Sequence, residues 1–563
     1  MKTPWTDSLD ALHPLPEYPR PQMVRDNWLN LNGPWDYAIT DSGVRPAAWD
    51  GTITVPYSPE TELSGVGRRL KRGEYLWYRR DIELPKSFRG KRVLLHFGAV
   101  DQDCTLWVNG AFACTHNGGY LPFTAEVTEA AQTGMLSLLL RVTDETDAGE
   151  KTRGKQKTRR GGIWYTPQSG IWQTVWMEAV PASYIRALRI TPDLDAGEVA
   201  VSAVIEGEGS AVAVFGKKEY PLPARIPVPN CEAWSPEHPK LYDFSVRCGT
   251  DRVKSYFAMR KISVEKDGQG VPRLFLNNAP LFHNGLLDQG YWPDGLYTPA
   301  SDEAFVFDIE TAKAMGFNML RKHIKVEPLR WYYHCDRLGM LVWQDMPSGG
   351  GRYNPLVITA PLLTGKHLSD RNYRLFARRD PRSREAYREE LRGMVTHLYN
   401  CPCVVMWVPF NEGWGQFDAA QIHDELRALD PTRLIDHASG WHDQGVGALV
   451  SLHVYFRKYR FAPDPKGRAV LLSEFGGYNH RVKGHCFNKR DFGYRRFKSP
   501  EALREALDAL YRGEIRPAKR KGLAAAVYTQ ISDVEDELNG LMTYDRQVVK
   551  IDAETVKQTM RVE

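Results

Sequence analysis

The sequence predicts a multidomain protein: a two-sheet β-sandwich over residues 20–183, an immunoglobulin-like β-sandwich over 184–264 and a (β/α)8 barrel over 265–563. Three observations carry this. The chain has 563 residues, about twice the length at which a single hydrophobic core stops growing, so it divides. Near residue 265 its texture changes from short alternating strands with Gly/Pro punctuation to a strand-then-helix rhythm. Beyond that point eight short apolar runs follow one another, and eight parallel strands close a barrel.

In the first domain KRVLLHFGAV, CTLWVNGAFACTH, LSLLLRVTD and IWQTVWMEAV alternate apolar and polar residues between turn signals. Period-two alternation places every second side chain on one face, which is the pattern of a sheet covered on one side. IRALRITPDL, VAVSAVIEG, SAVAVFG, LYDFSVRC and VKSYFAMRKI repeat it over a shorter span, as a second, smaller sandwich does.

The barrel is read unit by unit. RLFLNNAPLFHNG is strand one, followed by a helix from Asp302 to Met315; NMLRKHI is strand two and EPLRWYYHCDRLG its helix. MLVWQDMP is strand three, SREAYREELRGMVTHLY the next helix, VVMWVPFNE strand four and QIHDELRALD its helix. RLIDHAS, LVSLHVY and VLLSEFGG are strands five to seven, SPEALREALDALYRGE a helix, and GLAAAVYTQ strand eight. Unbroken Val, Leu and Ile runs suit strands buried on both faces, joined by right-handed crossovers.

Charge and composition exclude several classes. A net charge of +5 over this length is too dilute for a nucleic-acid partner, and the basic run Lys151 to Arg160 is expected to be a solvated loop. No run is long and apolar enough to span a bilayer, and the first residues lack the apolar stretch of a secretory signal, so a cytoplasmic location is expected. Cys104, Cys114, Cys231, Cys248, Cys335, Cys401, Cys403 and Cys486 have no paired spacing, so free thiols are expected and neither a metal nor another cofactor is. Gly349 to Gly351 lack the Lys-Ser/Thr of a phosphate loop and suit a mobile loop after strand three. The acidic run at 533–537 reads as a solvated loop.

Two glutamates stand out. Glu412 ends VVMWVPFNE and Glu474 ends the apolar part of AVLLSEFGG, at the C-terminal ends of strands four and seven, where barrel enzymes carry their chemistry. Asn411 precedes the first, and Gly413, Gly476 and Gly477 permit sharp turns just past each carboxylate. Paired carboxylates of this kind cleave glycosidic bonds.

These residues carry a family resemblance. FGAVDQDCTLWVNGAFACTHNGGYLPFTAEVT and SGIWQTVWME resemble the sugar-binding jelly-roll sandwich of glycoside hydrolase family 2, and NMLRKHIKVEPLRWYYHCDRLGMLVWQD, NCPCVVMWVPFNE and LLSEFGG resemble its barrel. The chain departs from the family where Ile324 and Lys325 follow His323, where Cys401 replaces a histidine, at Val408 and Pro409, and in YTQISDVEDELNGLMTYDR, so it resembles a divergent subgroup.

The resemblance implies a retaining exo-glycosidase, β-galactosidase-like, with Glu474 as nucleophile and Glu412 as acid/base. β-Glucuronidase, β-mannosidase or arabinosidase specificity, an endo-acting glycanase and an inactive carbohydrate-binding protein are the alternatives. Asn411 would donate to the sugar's 2-hydroxyl, or cap a helix. His453 and Tyr455 end strand six and would reach Glu474, or sit in the core. Arg321 and His323 end strand two and Asp345 ends strand three; they would meet sugar hydroxyls, or Arg321 and Asp345 would form a structural ion pair. Trp414 and Trp441 lie in loops, exposed enough to stack on a sugar or else packing those loops. A glucuronidase would need a cation, for which Lys325 and Arg352 are the candidates. A glycoside or oligosaccharide is the expected partner, with homo-oligomers possible.

Overall fold

The computed structural model describes residues 1–561. Its first sandwich pairs a six-stranded antiparallel sheet with a four-stranded one. The six strands, in spatial order, are Gly51–Val55, Gly33–Thr40, Tyr75–Glu83, Met135–Thr143, Asp103–Val108 and Ala111–Asn117; the four are Trp28–Asn30, Val175–Val180, Arg92–Phe97 and Phe123–Glu126. Alternation decides which face goes in: along Met135–Thr143 the residues Leu136, Leu138, Leu140 and Val142 are buried between more exposed neighbours, as a strand with one covered face requires. Val175–Val180 breaks this pattern because it is buried throughout; Glu178, on its second face, pairs with Arg20 and Arg25.

The second sandwich packs Tyr184–Asp193, Glu198–Glu206 and Ala224–Pro227 against a four-stranded sheet containing Tyr242–Cys248 and Asp251–Phe257. Its core is built from Ile185, Ile190, Val199, Val201, Val246 and Val253.

The barrel strands are His283–Asp288, Met319–Lys322, Leu341–Asp345, Val404–Val408, Leu434–Ile435, Leu449–Val454, Ala469–Gly476 and Leu523–Thr529. They form one parallel sheet in the order five-four-three-two-one-eight-seven-six. Strand five contributes only two paired residues, and among the described residues no ladder joins it to strand six. Side chains bridge that seam instead: Ser451 donates to Asp436 at 2.9 Å and accepts from the Gly440 amide at 3.2 Å.

Helices Asp302–Ala314, Leu329–Leu338, Pro381–Leu398, Ala419–Leu429, Pro500–Leu510 and Ala553–Met560 follow strands one to four, seven and eight, while loops follow five and six. Asp380 and Ser499 cap two of them by accepting backbone N–H groups, each just ahead of a proline.

Strand one differs from the sequence expectation. Pro272–Leu276 pairs antiparallel with Ile262–Lys266 and turns back into Ala279–Pro280, so the barrel strand begins only at His283. Asn277 and Asn278 have φ of +54° and +64°, the left-handed pair that a two-residue hairpin turn demands. Arg273 then donates to the carbonyls of Lys519 and Leu523, holding this hairpin at the start of strand eight.

Two loops expected to be solvated are wholly or partly buried: 533–537 throughout, and Thr152 to Gln156 of the basic run, whose Lys151, Thr158 and Arg159 stay exposed. The stretch 151–169 leaves the first sandwich and folds over the C-terminal mouth of the barrel. The Arg153 and Gly154 amides donate to the Ser348 carbonyl at 2.9 and 3.0 Å. Gly154, at φ +61°, lies so close to Ile324 that a Cβ would meet its carbonyl oxygen at 2.9 Å. The acidic stretch 533–537 is its counterpart. Arg160 pairs with Asp536, the Thr166 amide donates to Glu535, Tyr165 donates to Glu537, and Lys550 pairs with Asp533. Gly349 and Gly350 are likewise buried under the sandwich loop and not an open flap.

Candidate active site

Glu412 and Glu474 stand at the C-terminal ends of strands four and seven and are 8 % and 5 % exposed. Glu412 has φ +51°, an unfavourable backbone conformation for a non-glycine residue. It is held there by its amide, which donates to the Ser439 carbonyl at 3.0 Å. Gly476 and Gly477, at φ +81° and +64°, take the chain away from Glu474 so tightly that a Cβ on either would meet Tyr528 or Tyr494 at 2.3 Å.

His453 joins the two carboxylates. Its Nδ1 lies 2.8 Å from Glu412 Oε1 and 3.5 Å from Glu474 Oε2. One oxygen of each glutamate and a ring nitrogen of His453 all lie within 4.8 Å of one another. Arg321, fully buried, organises the floor: Nη1 donates to Glu474 Oε1 at 3.1 Å, Nη2 to Asn411 Oδ1 at 2.8 Å, and Nε to Asp345 Oδ1 at 3.0 Å. His323 Nδ1 lies 2.8 Å from Asp345 Oδ2. Tyr455 donates to Glu474 and is itself stacked on Tyr494, ring centroids 3.7 Å apart.

The two glutamates therefore differ electrostatically. Burial, reinforced by the negative charge of Glu474, raises the Glu412 pKa above the usual carboxylate range even though His453 pulls it down. Burial acts on Glu474 too, but His453, then Arg321, and the Tyr455 hydroxyl outweigh it and hold that carboxyl below its ordinary value. Burial and then the positive charge of Lys155 hold His323 well below the usual imidazole range, so it is neutral.

Eight of the ten sequence-predicted site residues, Arg321, His323, Asp345, Asn411, Glu412, His453, Tyr455 and Glu474, thus form one contiguous network. The Arg321–Asp345 ion pair exists and is also part of this network, because the same guanidinium reaches Glu474 and Asn411. Among the described residues the Asn411 Nδ2 has no hydrogen-bond partner, although its Oδ1 is anchored. Trp414 and Trp441 differ from expectation: they are 2 % and 7 % exposed. Trp414 is covered by Trp164 and Tyr353, with centroids 5.0 and 6.1 Å away. The closing sandwich loop supplies the first of these rings. Trp441 leans on His453 at 6.1 Å.

Lys325, expected as a cation for the pocket, is already satisfied. It donates to the Gly290 and Tyr297 carbonyls and to Glu327 at 2.6, 2.9 and 2.8 Å, and burial takes its pKa down to about 8. Arg352 is exposed on its loop. The buried cation that sequence reading missed is Lys155, 5 % exposed, whose ammonium lies 5.4 Å from the Tyr165 ring centroid and 6.0 Å from that of Trp414. Among the described residues it has no hydrogen-bond or ion-pair partner. Its only signal in the sequence is the run KTRGKQKTRR, whose composition is that of a surface loop.

Family models for glycosyl hydrolases family 2 match three stretches: the sugar binding domain over 69–181, a further family 2 region over 201–260 and the TIM barrel domain over 275–517. The chain belongs to glycosyl hydrolases family 2. Relatives within this similarity include a beta-galactosidase of Thermoanaerobacter pseudethanolicus, 24 % identical over 390 residues that cover 63 % of this chain and 47 % of that protein. A beta-glucuronidase of Canis lupus familiaris is 24 % identical over 501 residues, covering 76 % and 71 %. The chain spans only about half the length of several curated relatives it matches. Among solved structures, beta-D-glucuronidase of Dictyoglomus thermophilum has a TM-score of 0.74 at 17 % identity, covering 96 % of this chain and 98 % of that one. A family 2 beta-galacturonidase of Eisenbergiella tayi has a TM-score of 0.72 at 19 % identity, covering 97 % and 98 %. At these identities the likeness speaks for the fold of this family 2 chain. No helix among its described residues is long and apolar enough to cross a membrane.

Proposed function

We propose that this chain is a retaining exo-glycosidase in which Glu474 is the nucleophile and Glu412 the acid/base. The observation that carries this reading is a pair of buried carboxylates pushed in opposite directions, with an oxygen of each within 4.8 Å of the other. Retaining sites place their carboxyl groups about 5–5.5 Å apart, whereas inverting sites need roughly 6.5–9.5 Å to admit a water. Glu474, ionised, attacks the anomeric carbon while Glu412 gives its proton to the departing oxygen. Once the ester forms, the Glu474 charge is gone, the Glu412 pKa falls, and Glu412 takes a proton from the water that cleaves the ester. Asn411, held through Oδ1 by Arg321, presents an unpaired amide to the sugar 2-hydroxyl, a contact that strengthens as the ring becomes oxocarbenium-like. A cytoplasmic location belongs to the same reading, supported by eight cysteines that are all free.

The test is a panel of aryl glycosides followed by proton NMR of the first product. A first product of retained configuration is expected, and an inverted one would sink the mechanism. The kcat/KM profile is expected to be bell-shaped, falling at low pH as Glu474 takes a proton and at high pH as Glu412 loses one. Glu412→Ala should remove the alkaline limb and cost about 10²–10⁴-fold on poor leaving groups, with much smaller losses on activated aryl leaving groups. A retained alkaline limb in that variant would assign the acid elsewhere.

Lys155 favours a glycone bearing an acidic substituent over a neutral sugar such as galactose, because an ammonium this buried gains most from an anionic partner. Lys155→Met should lower kcat/KM for an aryl uronide by about 10²-fold, the worth of a charged hydrogen bond of roughly 1.5–3 kcal/mol. Neutral aryl glycosides should lose far less. Equal losses on both would leave Lys155 a packing residue.

A further inference from the structure

Near the glutamates a cleft of about 910 Å³ opens between the loops that follow strands five and six and the segment after strand three that carries Pro361, Gly365 and His367. Tyr455, whose hydroxyl donates to Glu474, and Trp441, which covers the buried His453 ring, form its inner wall. The cleft is thus separated from Glu474 by Tyr455 alone, close enough to receive the portion of a glycoside that extends beyond the two carboxylates. Two features mark its chemistry.

The first is charge. Arg457, Lys458 and Arg460 line it together with His367, and none of its lining residues is Asp or Glu. Among the described residues these three cations make no hydrogen bond or ion pair through their side chains. Neighbouring Arg468, by contrast, is held by Asp443 and Asp464 at 2.7 and 3.0 Å. Asp443 and Asp464 are thus engaged by Arg468 and Glu514 accepts from the Tyr459 amide at 2.7 Å, so three cations stand against one nearby carboxylate and the net field in the cleft is positive.

The second is an apolar wall. Phe456 is 71 % exposed, and its ring lies 5.3 Å from that of Tyr494, which stacks on Tyr455. Trp441 lines the same cleft. Aromatic rings beside polar groups are what a sugar's apolar face packs against.

We propose that this cleft is the leaving-group subsite and that it selects an anionic saccharide, one whose leaving portion carries carboxylate or sulfate groups. The proposal rests on the retaining-glycosidase reading for the position of the leaving group, but its selectivity is separable from it. Anionic sugars enter along the positive field, stack on Phe456 and pair with the Arg457, Lys458 and Arg460 side chains. Neutral leaving groups use the aromatic wall alone.

Two measurements on the full chain test this. In the first, two aryl glycosides of one sugar, one with a carboxymethyl group on its phenol and the other with the corresponding neutral carboxamide so that the leaving-group pKa values agree, are compared in the wild type and in the Arg457→Gln/Lys458→Gln/Arg460→Gln variant. The ratio of kcat/KM values is the readout. It is expected to favour the anionic member, to fall about tenfold in the variant, and to collapse near 0.5 M salt, where the Debye length is roughly 4 Å. A ratio unmoved by the variant overturns the proposal.

The second measurement needs no turnover. Calorimetric titration of the Glu474→Ala protein with an oligogalacturonate, a sulfated galactan oligosaccharide and a neutral galactan oligosaccharide separates carboxylate from sulfate recognition. Tighter binding of at least one anionic glycan, lost in the triple variant, upholds the subsite even if no aryl glycoside is cleaved. Equal binding of all three, or anionic binding that survives the variant, overturns it. Circular dichroism of the triple variant shows whether it is folded; its three substitutions lie at exposed side chains.

Discussion

Glu474→Ala is expected to abolish hydrolysis of every aryl glycoside the wild type cleaves, a fall on the order of 10⁵-fold in kcat. The magnitude follows from the site. In the proposed mechanism the alanine removes the atom that forms the glycosyl ester. Arg321 and Tyr455, which hold Glu474 ionised, then surround an empty space large enough for a small anion. Azide should occupy it and restore turnover, giving a glycosyl azide of inverted configuration. Rescue by azide with the same inversion in Glu412→Ala, but not in Glu474→Ala, would exchange the two roles. Activity of Glu474→Ala without azide would remove this residue from the mechanism altogether.

Arg321→Met should be the most damaging substitution that leaves both glutamates in place. Arg321 is fully buried and donates to Glu474, Asn411 and Asp345, and also to the Ser473 carbonyl at 3.1 Å. Methionine fills much of the volume but leaves two buried carboxylates without their cation. Breaking a buried ion pair in this way costs about 3–5 kcal/mol, to be read from the denaturant midpoint of the barrel transition.

The activity that remains should change its pH dependence in a definite direction. Without the positive charge, Glu474 holds its proton to higher pH, so the acid limb of kcat/KM moves up towards neutrality. Arg321→Lys keeps the charge but not the fork-shaped donor set. It should lose less stability while kcat still falls, because Asn411 loses its anchor. An unchanged acid limb in Arg321→Met would mean that Arg321 has no part in keeping Glu474 ionised.

Much of the site was legible because its residues fall at strand ends. Glu412, Glu474, Asp345, Arg321 and Tyr455 each terminate or directly follow an apolar run, and in a closed barrel all such ends converge on one mouth. Their convergence needed only the count of strands, not their contacts. Trp414 and Trp441 were harder. Whether a loop tryptophan is exposed depends on what lies over it, and for Trp414 that is Trp164, 250 positions earlier in the chain by numbering. Lys325 illustrates the same limit: its position suggested a pocket cation, while its three acceptors are scattered over 290–327.

The sandwiches-then-barrel architecture and the strand-end positions of Glu412 and Glu474 could be read from the chain, because periodicity, turn residues and strand-end placement are local properties that a short window contains, whereas the helices Pro355–Thr364 and Ala553–Met560 were not expected. The one misplaced barrel strand came from Asn277 and Asn278, whose left-handed turn divides what looked like a continuous run. The fate of the charged loops depended on long-range contacts. KTRGKQKTRR and DVEDE each have the composition of a solvated segment, yet Arg160 pairs with Asp536 and Tyr165 with Glu537 across more than 370 residues of chain. Burying these charges is offset by a partner from elsewhere in the chain, and no window of sequence contains both partners. The same closure of sandwich onto barrel that joins these loops leaves Lys155 unpaired beside the glutamates.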